Sequence, residues 1–127
     1  MLNILIVGLG GFIGAAGRYS LGLLNGRLYP IVIFPINTLA VNVIGALVIG
    51  MAEKYFLESG NFGSSLQLFL MVGVCGGFTT FSSFSLETIT LFACGKTFIA
   101  VCNIVLNVVI CLIFVLIGRT IMGRILL

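Results

Sequence analysis

Two long stretches of this sequence carry no charged residue. They cover residues 31–52 and 98–117, and each is long enough to cross the hydrocarbon core of a bilayer, which takes about 20 helical residues. Only 7% of the 127 residues are charged and 61% are hydrophobic, whereas a soluble domain has about 25% charged residues. A soluble fold of this size could not bury so much apolar surface. The sequence therefore predicts an all-α integral membrane protein with a single domain over residues 1–127.

Two further stretches complete a prediction of four transmembrane helices. One covers residues 66–93 and is interrupted near its middle by glycine, threonine and serine. The other covers residues 2–24, is rich in glycine and contains Arg18, whose long side chain can reach the headgroups from a helix end. No basic residue precedes this first run, so we expect a retained helix there and not a cleaved signal peptide.

The basic residues are distributed evenly between the two sides of such a bundle. Four spans place both termini on one side of the membrane. The side of the termini carries Lys54, Arg119 and Arg124, and the other carries Arg18, Arg27 and Lys96. The positive-inside rule then gives no preferred orientation. Either the even count is accidental, or Arg18 is buried and should not be counted, or the chain inserts both ways up and forms an antiparallel dimer.

The residue types exclude most enzyme chemistry. There is no histidine, and the only acidic residues are Glu53, Glu58 and Glu87, so a catalytic triad, a histidine-bearing metal site and a carboxylate dyad are each hard to assemble. The six basic residues are too sparse for a nucleic-acid interface. The four cysteines lie in apolar runs without a C-x-x-C spacing, which favours small buried side chains over a disulfide or a metal site.

Small residues recur at a spacing of four. The pairs are Gly10 and Gly14, Gly73 and Gly77, and Ala46 and Gly50. Residues 6–14, which include Gly8 and the first pair, superficially resemble a dinucleotide-binding motif, but Ile13 stands where the third glycine should be. Small residues four apart let helix backbones approach closely in lipid. The pattern predicts how the helices pack and not what the protein does.

The third span contains a sequence that weakens a helix at bilayer depth. Gly76 and Gly77 are followed closely by Thr79 and Thr80, and glycine and β-branched residues are poor helix formers. A broken helix is tolerated there only when it is buried in protein or lines a cavity. Its exposed carbonyl groups could hold a cation such as Na⁺. The alternative is a continuous helix in which the glycines only allow close packing.

Polar residues occur in rows on three of the predicted spans. Intramembrane polar side chains normally face the bundle interior, where they either join helices by hydrogen bonds or line a pathway. The amide and hydroxyl groups among them can donate hydrogen bonds, and the ring edges of Phe81 and Phe84 are electropositive. This combination points weakly to an anion pathway and does not select the anion. The rows are Thr38 and Asn42; Thr79, Ser83 and Glu87; and Asn103, Asn107 and Cys111.

Three segments of the chain resemble the Fluc, or CrcB, fluoride channels, and the likeness extends over nearly the whole length. The segments are GGFIGAAGRY at residues 10–19, FP at 34–35 with TLAVN at 38–42, and GGFTTFSSFSLE at 76–87. The last segment is highly specific. One departure is Asn37, where the family usually has glycine, and it affects the expected geometry at the mouth of the pathway.

The resemblance implies a passive, fluoride-selective channel that exports fluoride across the plasma (inner) membrane of a bacterium. It implies a dual-topology, antiparallel homodimer with two pores and a structural Na⁺ at its centre, held by backbone carbonyls of Gly76 and Thr79. It also assigns an aromatic role to Phe81 and Phe84 and an amide donor role toward fluoride to Asn42. The remaining pathway residues that it implies are Ser83, Thr38, Glu87 near an exit and Arg18 near the vestibule.

Two other functions compete with a fluoride channel. A dual-topology, proton-coupled small multidrug exporter needs a membrane-embedded carboxylate, for which Glu87 is the only candidate. A non-transporting assembly subunit would use its polar rows only to join helices. Ion flux from proteoliposomes separates a channel from such a subunit, and uptake of a lipophilic cation under a pH gradient identifies an exporter.

Overall fold

The protein is a bundle of helices long and apolar enough to span a membrane. The computed structural model describes residues 1–28 and 34–127. Four candidate spans lie within these residues, which confirms the predicted all-α membrane fold. The spans are the first helix (Leu2–Leu28), the second helix (Ile36–Glu58), the third span (Ser65–Ala93) and the fourth helix (Thr97–Ile125).

The third span is broken near its middle, as the sequence predicts. Thr79 and Thr80 adopt extended backbone angles, with φ −78° and ψ 159° at Thr79 and φ −149° and ψ 110° at Thr80. We call residues 65–78 its N-terminal half and Phe81–Ala93 its C-terminal half. The N-terminal half comprises an α-turn at Ser65–Gln67, a π-helical stretch at Leu68–Cys75 and an α-turn at Gly76–Phe78. The continuous-helix alternative is therefore wrong, and the π-helical stretch is a feature that the sequence pattern did not reveal.

The first helix packs against the N-terminal half of the third span through glycine. A Cβ atom added to Gly10 would lie 2.5 Å from the carbonyl oxygen of Phe69, and one added to Gly77 would lie 2.5 Å from that of Gly11. A Cβ atom on Gly14 would collide with the Val74 carbonyl. These close approaches confirm the role predicted for the four-residue glycine spacing.

The fourth helix packs against the second helix and against the C-terminal half of the third span. Here too the contact depends on small residues. A Cβ atom on Gly50 would collide with the carbonyl of Val115, and one on Gly118 would collide with that of Leu47. Ala46, one turn before Gly50, is buried. The predicted Ala46 and Gly50 pair therefore faces a neighbouring helix.

Two ion pairs lie where the second and fourth helices extend beyond their predicted ends. The second helix continues to Glu58 and the fourth to Ile125, whereas the sequence predicted ends at residues 52 and 117. Arg119 Nε lies 3.1 Å from Glu53 Oε2, and Lys54 Nζ lies 2.5 Å from Glu58 Oε1. Paired charges can be accommodated on a helix at the edge of the membrane, so they do not end it.

The opposite end of the bundle also differs from the predicted boundaries. The first helix runs to Leu28 and not to residue 24, so residues 25–28, which follow the predicted span, are helical too. Residues 29–33, where the second span was predicted to begin, lie outside the described residues. The second helix begins at Ile36, directly after Pro35. The short connection before the fourth helix contains Gly95, whose φ of +72° favours glycine.

The four cysteines do not share one environment. Cys75 is buried, Cys102 and Cys111 are half-buried, and Cys94 is exposed; all four are free thiols. The interpretation of all four as buried side chains is therefore wrong for Cys94, which follows the last turn of the C-terminal half of the third span.

The glycine contacts yield a matched pair of substitutions in the first helix. Gly14→Ala should destabilise the protein by about 1–3 kcal/mol, because the new methyl group would meet the backbone of the third span at Val74 and Phe78. Gly8→Ala adds the same methyl group where no atom lies within 4 Å, so it should be neutral or slightly stabilising. Thermal unfolding of both variants in detergent measures the difference. Equal melting temperatures for the two variants would contradict this account of the packing.

Candidate functional site

The Asn42 side chain holds the broken backbone of the third span. Its Oδ1 accepts a hydrogen bond from the Thr80 backbone N–H at 2.8 Å, and its Nδ2 donates to the Thr80 carbonyl oxygen at 3.3 Å. One carboxamide thus pairs with both polar groups of a residue that has left the helix. No water is present in the lipid core to satisfy those groups, so a side chain from the second helix makes the hydrogen bonds that water would otherwise make.

The break diverts backbone donors from two carbonyl groups. In a continuous helix the Thr80 N–H would donate to the Gly76 carbonyl, and the Ser83 N–H would donate to the Thr79 carbonyl. Here the Thr80 N–H donates to Asn42, and the Ser83 N–H donates to the Thr80 hydroxyl oxygen at 3.2 Å. The second bond is an N-terminal cap of the C-terminal half. The carbonyls of Gly76 and Thr79 therefore lose their helical donors.

A chain of side-chain hydrogen bonds, which we call the amide relay, leads from Asn42 across the bundle. Asn42 Nδ2 donates to Asn107 Oδ1 at 3.0 Å, Asn107 Nδ2 donates to Asn103 Oδ1 at 2.9 Å, and Asn103 Nδ2 donates to Thr88 Oγ1 at 2.9 Å. The Thr88 hydroxyl then donates to the Phe84 carbonyl at 2.7 Å. Asn103, Asn107 and Thr88 are buried. The polar rows of the second and fourth helices therefore meet, and they join these helices to the third span.

Two cavities flank the break. The first cavity has a volume of about 450 Å³ and is lined by Asn42, Gly76, Thr79 and both predicted phenylalanines, among others. The second cavity has a volume of about 330 Å³. Thr80 lines both. The predicted pathway residues are thus divided into two groups at the broken backbone, and those in the second cavity are Arg18, Thr38, Ser83 and Glu87.

The two phenylalanine rings lie side by side with very different exposure. Their centroids are 5.3 Å apart and their planes are inclined by 53°. Phe84 is 8% exposed, whereas Phe81 is 78% exposed. Phe84 is therefore part of the core of this chain, whereas Phe81, which also lines the first cavity, is largely exposed.

Hydroxyl groups and one carboxylate meet in the second cavity. The Thr38 hydroxyl donates to Glu87 Oε1 at 2.5 Å, and Glu87 Oε2 is buried without a hydrogen-bond partner among the described residues. The Ser83 hydroxyl oxygen accepts a bond from the Thr80 hydroxyl at 3.0 Å, which leaves the proton of Ser83 available to donate. The second cavity therefore contains both a donor and an acceptor whose hydrogen-bonding capacity the described residues do not use fully.

The expectation that Thr79, Ser83 and Glu87 share one helix face is wrong for Thr79. The extended backbone at Thr79 and Thr80 interrupts the helical periodicity. Thr79 consequently lines the first cavity, whereas Ser83 and Glu87 line the second. The Thr79 hydroxyl donates back to the Cys75 carbonyl at 2.9 Å.

Sequence reasoning missed two features of the site. Thr80 is the pivot of the break and its cap, and the preference of helix N-termini for threonine could have indicated it. Asn37, singled out only as a departure from the family pattern, lines the second cavity and accepts a hydrogen bond from Asn25 Nδ2 at 3.0 Å. That contact joins residues distant in sequence, and no local pattern indicates it.

Comparisons with known proteins find one family over most of the chain. Residues 5–119 match the family described as "CrcB-like protein, Camphor Resistance (CrcB)". A protein of Ruminiclostridium cellulolyticum named "Fluoride-specific ion channel FluC" is 44% identical over 94% of this chain and 91% of its own length. Proteins with the same name from Elusimicrobium minutum and Paracoccus denitrificans are 44% and 42% identical, over 89% and 93% of this chain and 87% and 91% of their own lengths.

The pairing of Asn42 with Thr80 can be tested by removing the carboxamide. Asn42→Leu leaves the Thr80 N–H without its partner, which should destabilise the protein by about 1–3 kcal/mol and speed hydrogen exchange at that amide. Thr90→Val is a matched control, because it removes a side-chain bond to an exposed carbonyl of the same half-helix. Thermal unfolding and hydrogen–deuterium exchange measure both effects. Unchanged exchange around Thr80 in the leucine variant would show that Asn42 does not hold the break.

Proposed function

Because this chain belongs to the CrcB family, we propose that it is a passive, fluoride-selective channel that carries fluoride out of the cytoplasm. The family comprises ion channels and not enzymes, and the chain is a multi-pass membrane protein with bacterial relatives. Its site of action is the inner (plasma) membrane. Fluoride moves down its electrochemical gradient after entering the cell as neutral HF.

The observation that carries this proposal is the cluster of hydrogen-bonding groups around the broken third span. An open helix is costly at bilayer depth, where no water satisfies its backbone. Its position between two cavities therefore indicates that these cavities hold a polar substrate. Here both cavities meet at Thr80, and the lining of each includes hydroxyl or amide groups. Such donors favour an anion over a cation.

The selectivity of the channel follows from the size and hydration of fluoride. A small, strongly hydrated anion crosses only where closely placed donors replace its water. The Ser83 hydroxyl supplies a free donor in the second cavity, and the exposed ring of Phe81 offers its electropositive edge at the first. Arg18 raises the anion concentration near the mouth of the second cavity, and Glu87, already bonded to Thr38, lies along the exit.

A second copy of the chain in the opposite orientation completes the pathway. Two features support this antiparallel homodimer: the even distribution of basic residues permits either orientation, and the rim of the first cavity carries an aromatic ring that is 78% exposed at Phe81. The Gly76 backbone beside it is exposed too. Packing of two such surfaces encloses two equivalent pores, one for each copy.

The residues at the break fit a structural Na⁺ at the centre of the dimer. The carbonyls of Gly76 and Thr79 have lost their helical donors, and both residues line the first cavity. A Cβ atom on Gly76 would meet no atom closer than 4.0 Å, so the backbone there is open to a ligand. Carbonyl oxygens suit a hard cation such as Na⁺, and the same groups from both copies would hold it between them. The positive charge of the cation would stabilise the carbonyl oxygens that have lost their helical donors.

Efflux from proteoliposomes tests the function and the role of Phe81 together. The purified protein should release fluoride and retain chloride, and Phe81→Ile should lower the fluoride flux about tenfold, the factor that corresponds to about 1.4 kcal/mol of ring-edge contact. Phe98→Ile makes the same change at a side chain that is 80% exposed on the fourth helix and should leave the flux unchanged. Equal flux of chloride would contradict a selective channel, and proton-driven uptake of a lipophilic cation would identify an exporter instead.

Removal of Na⁺ tests the proposed cation site. Exchange of Na⁺ for N-methylglucamine during purification should lower the melting temperature, because a ligand at one hundred times its Kd contributes about 2.7 kcal/mol of stability. The dimer should also dissociate more readily on dilution in detergent. A protein with the same melting temperature and the same dimer in both cations would contradict a structural Na⁺.

A further inference from the structure

Both hydrogens of the Asn42 amide nitrogen are already engaged. One donates to the Thr80 carbonyl and belongs to the closed pair that holds the break. The other donates to Asn107 Oδ1 at 3.0 Å. Asn42 and Asn107 both line the first cavity. Loss of the bond to Asn107 leaves the pair with Thr80 intact, so this second hydrogen is the one that an anion can take without disturbing the break. An anion can bind to it only by displacing the Asn107 oxygen.

We propose that Asn107 Oδ1 is a tethered acceptor that occupies the cavity-facing donor of Asn42 until fluoride displaces it. The proposal rests on the proposed function and adds a positioning residue from the fourth helix to it. In the absence of an anion, the Asn107 oxygen keeps a polar hydrogen from being buried without a partner. When an anion arrives, one hydrogen bond is exchanged for another.

The orientation of the Asn107 amide is fixed from both ends of the amide relay. At one end the Phe84 carbonyl can only accept, so Thr88 must donate to it and must accept from Asn103 Nδ2. Asn103 Oδ1 is then the acceptor for Asn107 Nδ2, which also donates to the Asn103 backbone carbonyl at 3.1 Å. The Asn107 oxygen consequently faces Asn42.

The other end of the relay imposes the same direction. The Thr80 backbone N–H can only donate, so Asn42 presents its oxygen to Thr80 and its amide hydrogens to the Thr80 carbonyl and Asn107. A flipped Asn107 would place two NH₂ groups against each other. The tethered acceptor is therefore set by groups whose hydrogen-bonding roles cannot change.

Such an acceptor has a consequence for conduction. A channel must bind its ion strongly enough to admit it and weakly enough to release it. Because the anion gains a bond to Asn42 only as the Asn107 oxygen loses one, the net affinity at this point is lower than that of an unoccupied donor. The tethered acceptor thus lowers the affinity for the anion and speeds its release.

Substitution of Asn107 tests the proposal through the concentration dependence of flux. Asn107→Leu removes the acceptor, and the fluoride concentration for half-maximal efflux should fall about fivefold, which corresponds to about 1 kcal/mol for one neutral hydrogen bond. The maximal flux should fall as well, because release becomes slower. Damage to the fold alone would lower the maximal flux without lowering the half-saturating concentration.

A second variant of Asn107 and a control variant accompany the leucine substitution. Asn107→Ser has a side chain too short to reach Asn42 and should shift the half-saturating concentration in the same direction; it carries the test if the leucine variant does not fold. Thr120→Val removes one side-chain hydrogen bond, to the Leu116 carbonyl, from an exposed part of the same helix and should leave both flux parameters unchanged.

The outcomes separate this proposal from the proposed function. Normal fluoride efflux by the unsubstituted protein, with an unchanged or higher half-saturating concentration in the folded Asn107 variants, would overturn the tethered acceptor alone. Absence of fluoride efflux from the unsubstituted protein would overturn the channel assignment and the tethered acceptor with it. A lower half-saturating concentration in both variants, with the control unaffected, supports the tethered acceptor.

Discussion

The pairing of the Asn42 carboxamide with the Thr80 peptide is the interaction on which this structure depends. A helix that opens at bilayer depth exposes polar groups where no water can reach them, at a cost of several kcal/mol for each unsatisfied group. One amide side chain supplies both an acceptor and a donor for the same residue. The break can then persist without solvent, and the two cavities on either side of it can be hydrogen-bonding sites in an otherwise apolar bundle.

The pairing has effects on both sides of the break. The same diversion of donors that stabilises Thr80 leaves the carbonyls of Gly76 and Thr79 without their helical donors, and both residues line the first cavity. It also commits Asn42, so that this side chain is part of the scaffold as well as a donor. In the second cavity, the Ser83 hydroxyl has a proton that no described residue accepts. Under the proposed function, a role in structure and a role toward an anion coincide in Asn42, and the fourth helix contacts this residue through Asn107.

Local patterns predicted the parts of the structure that depend on neighbouring residues. The break near Gly76 and Gly77, the close helix contacts at Gly10 and Gly14, and the four spans follow from helix propensity, side-chain size and apolar length. The patterns failed where a distant partner intervenes. The fourth helix continues past its predicted end, where Arg119 pairs with a glutamate of the second helix, and helical periodicity could not place residues across a break.

The sequence by itself determined that this chain lies in a membrane, that its third span has a weak point near Gly76 and Gly77, and that donor side chains are concentrated near that point. It could do so because apolar length, backbone propensity and hydrogen-bonding capacity belong to individual residues. Only the tertiary structure decided which donors remain available. Asn42 and Asn107 have the same carboxamide group, but the packing of the helices gives them different partners. Asn42 pairs with the backbone of Thr80, and Asn107 accepts the remaining amide hydrogen of Asn42. Such pairing depends on how the helices pack, which no single segment of the chain specifies.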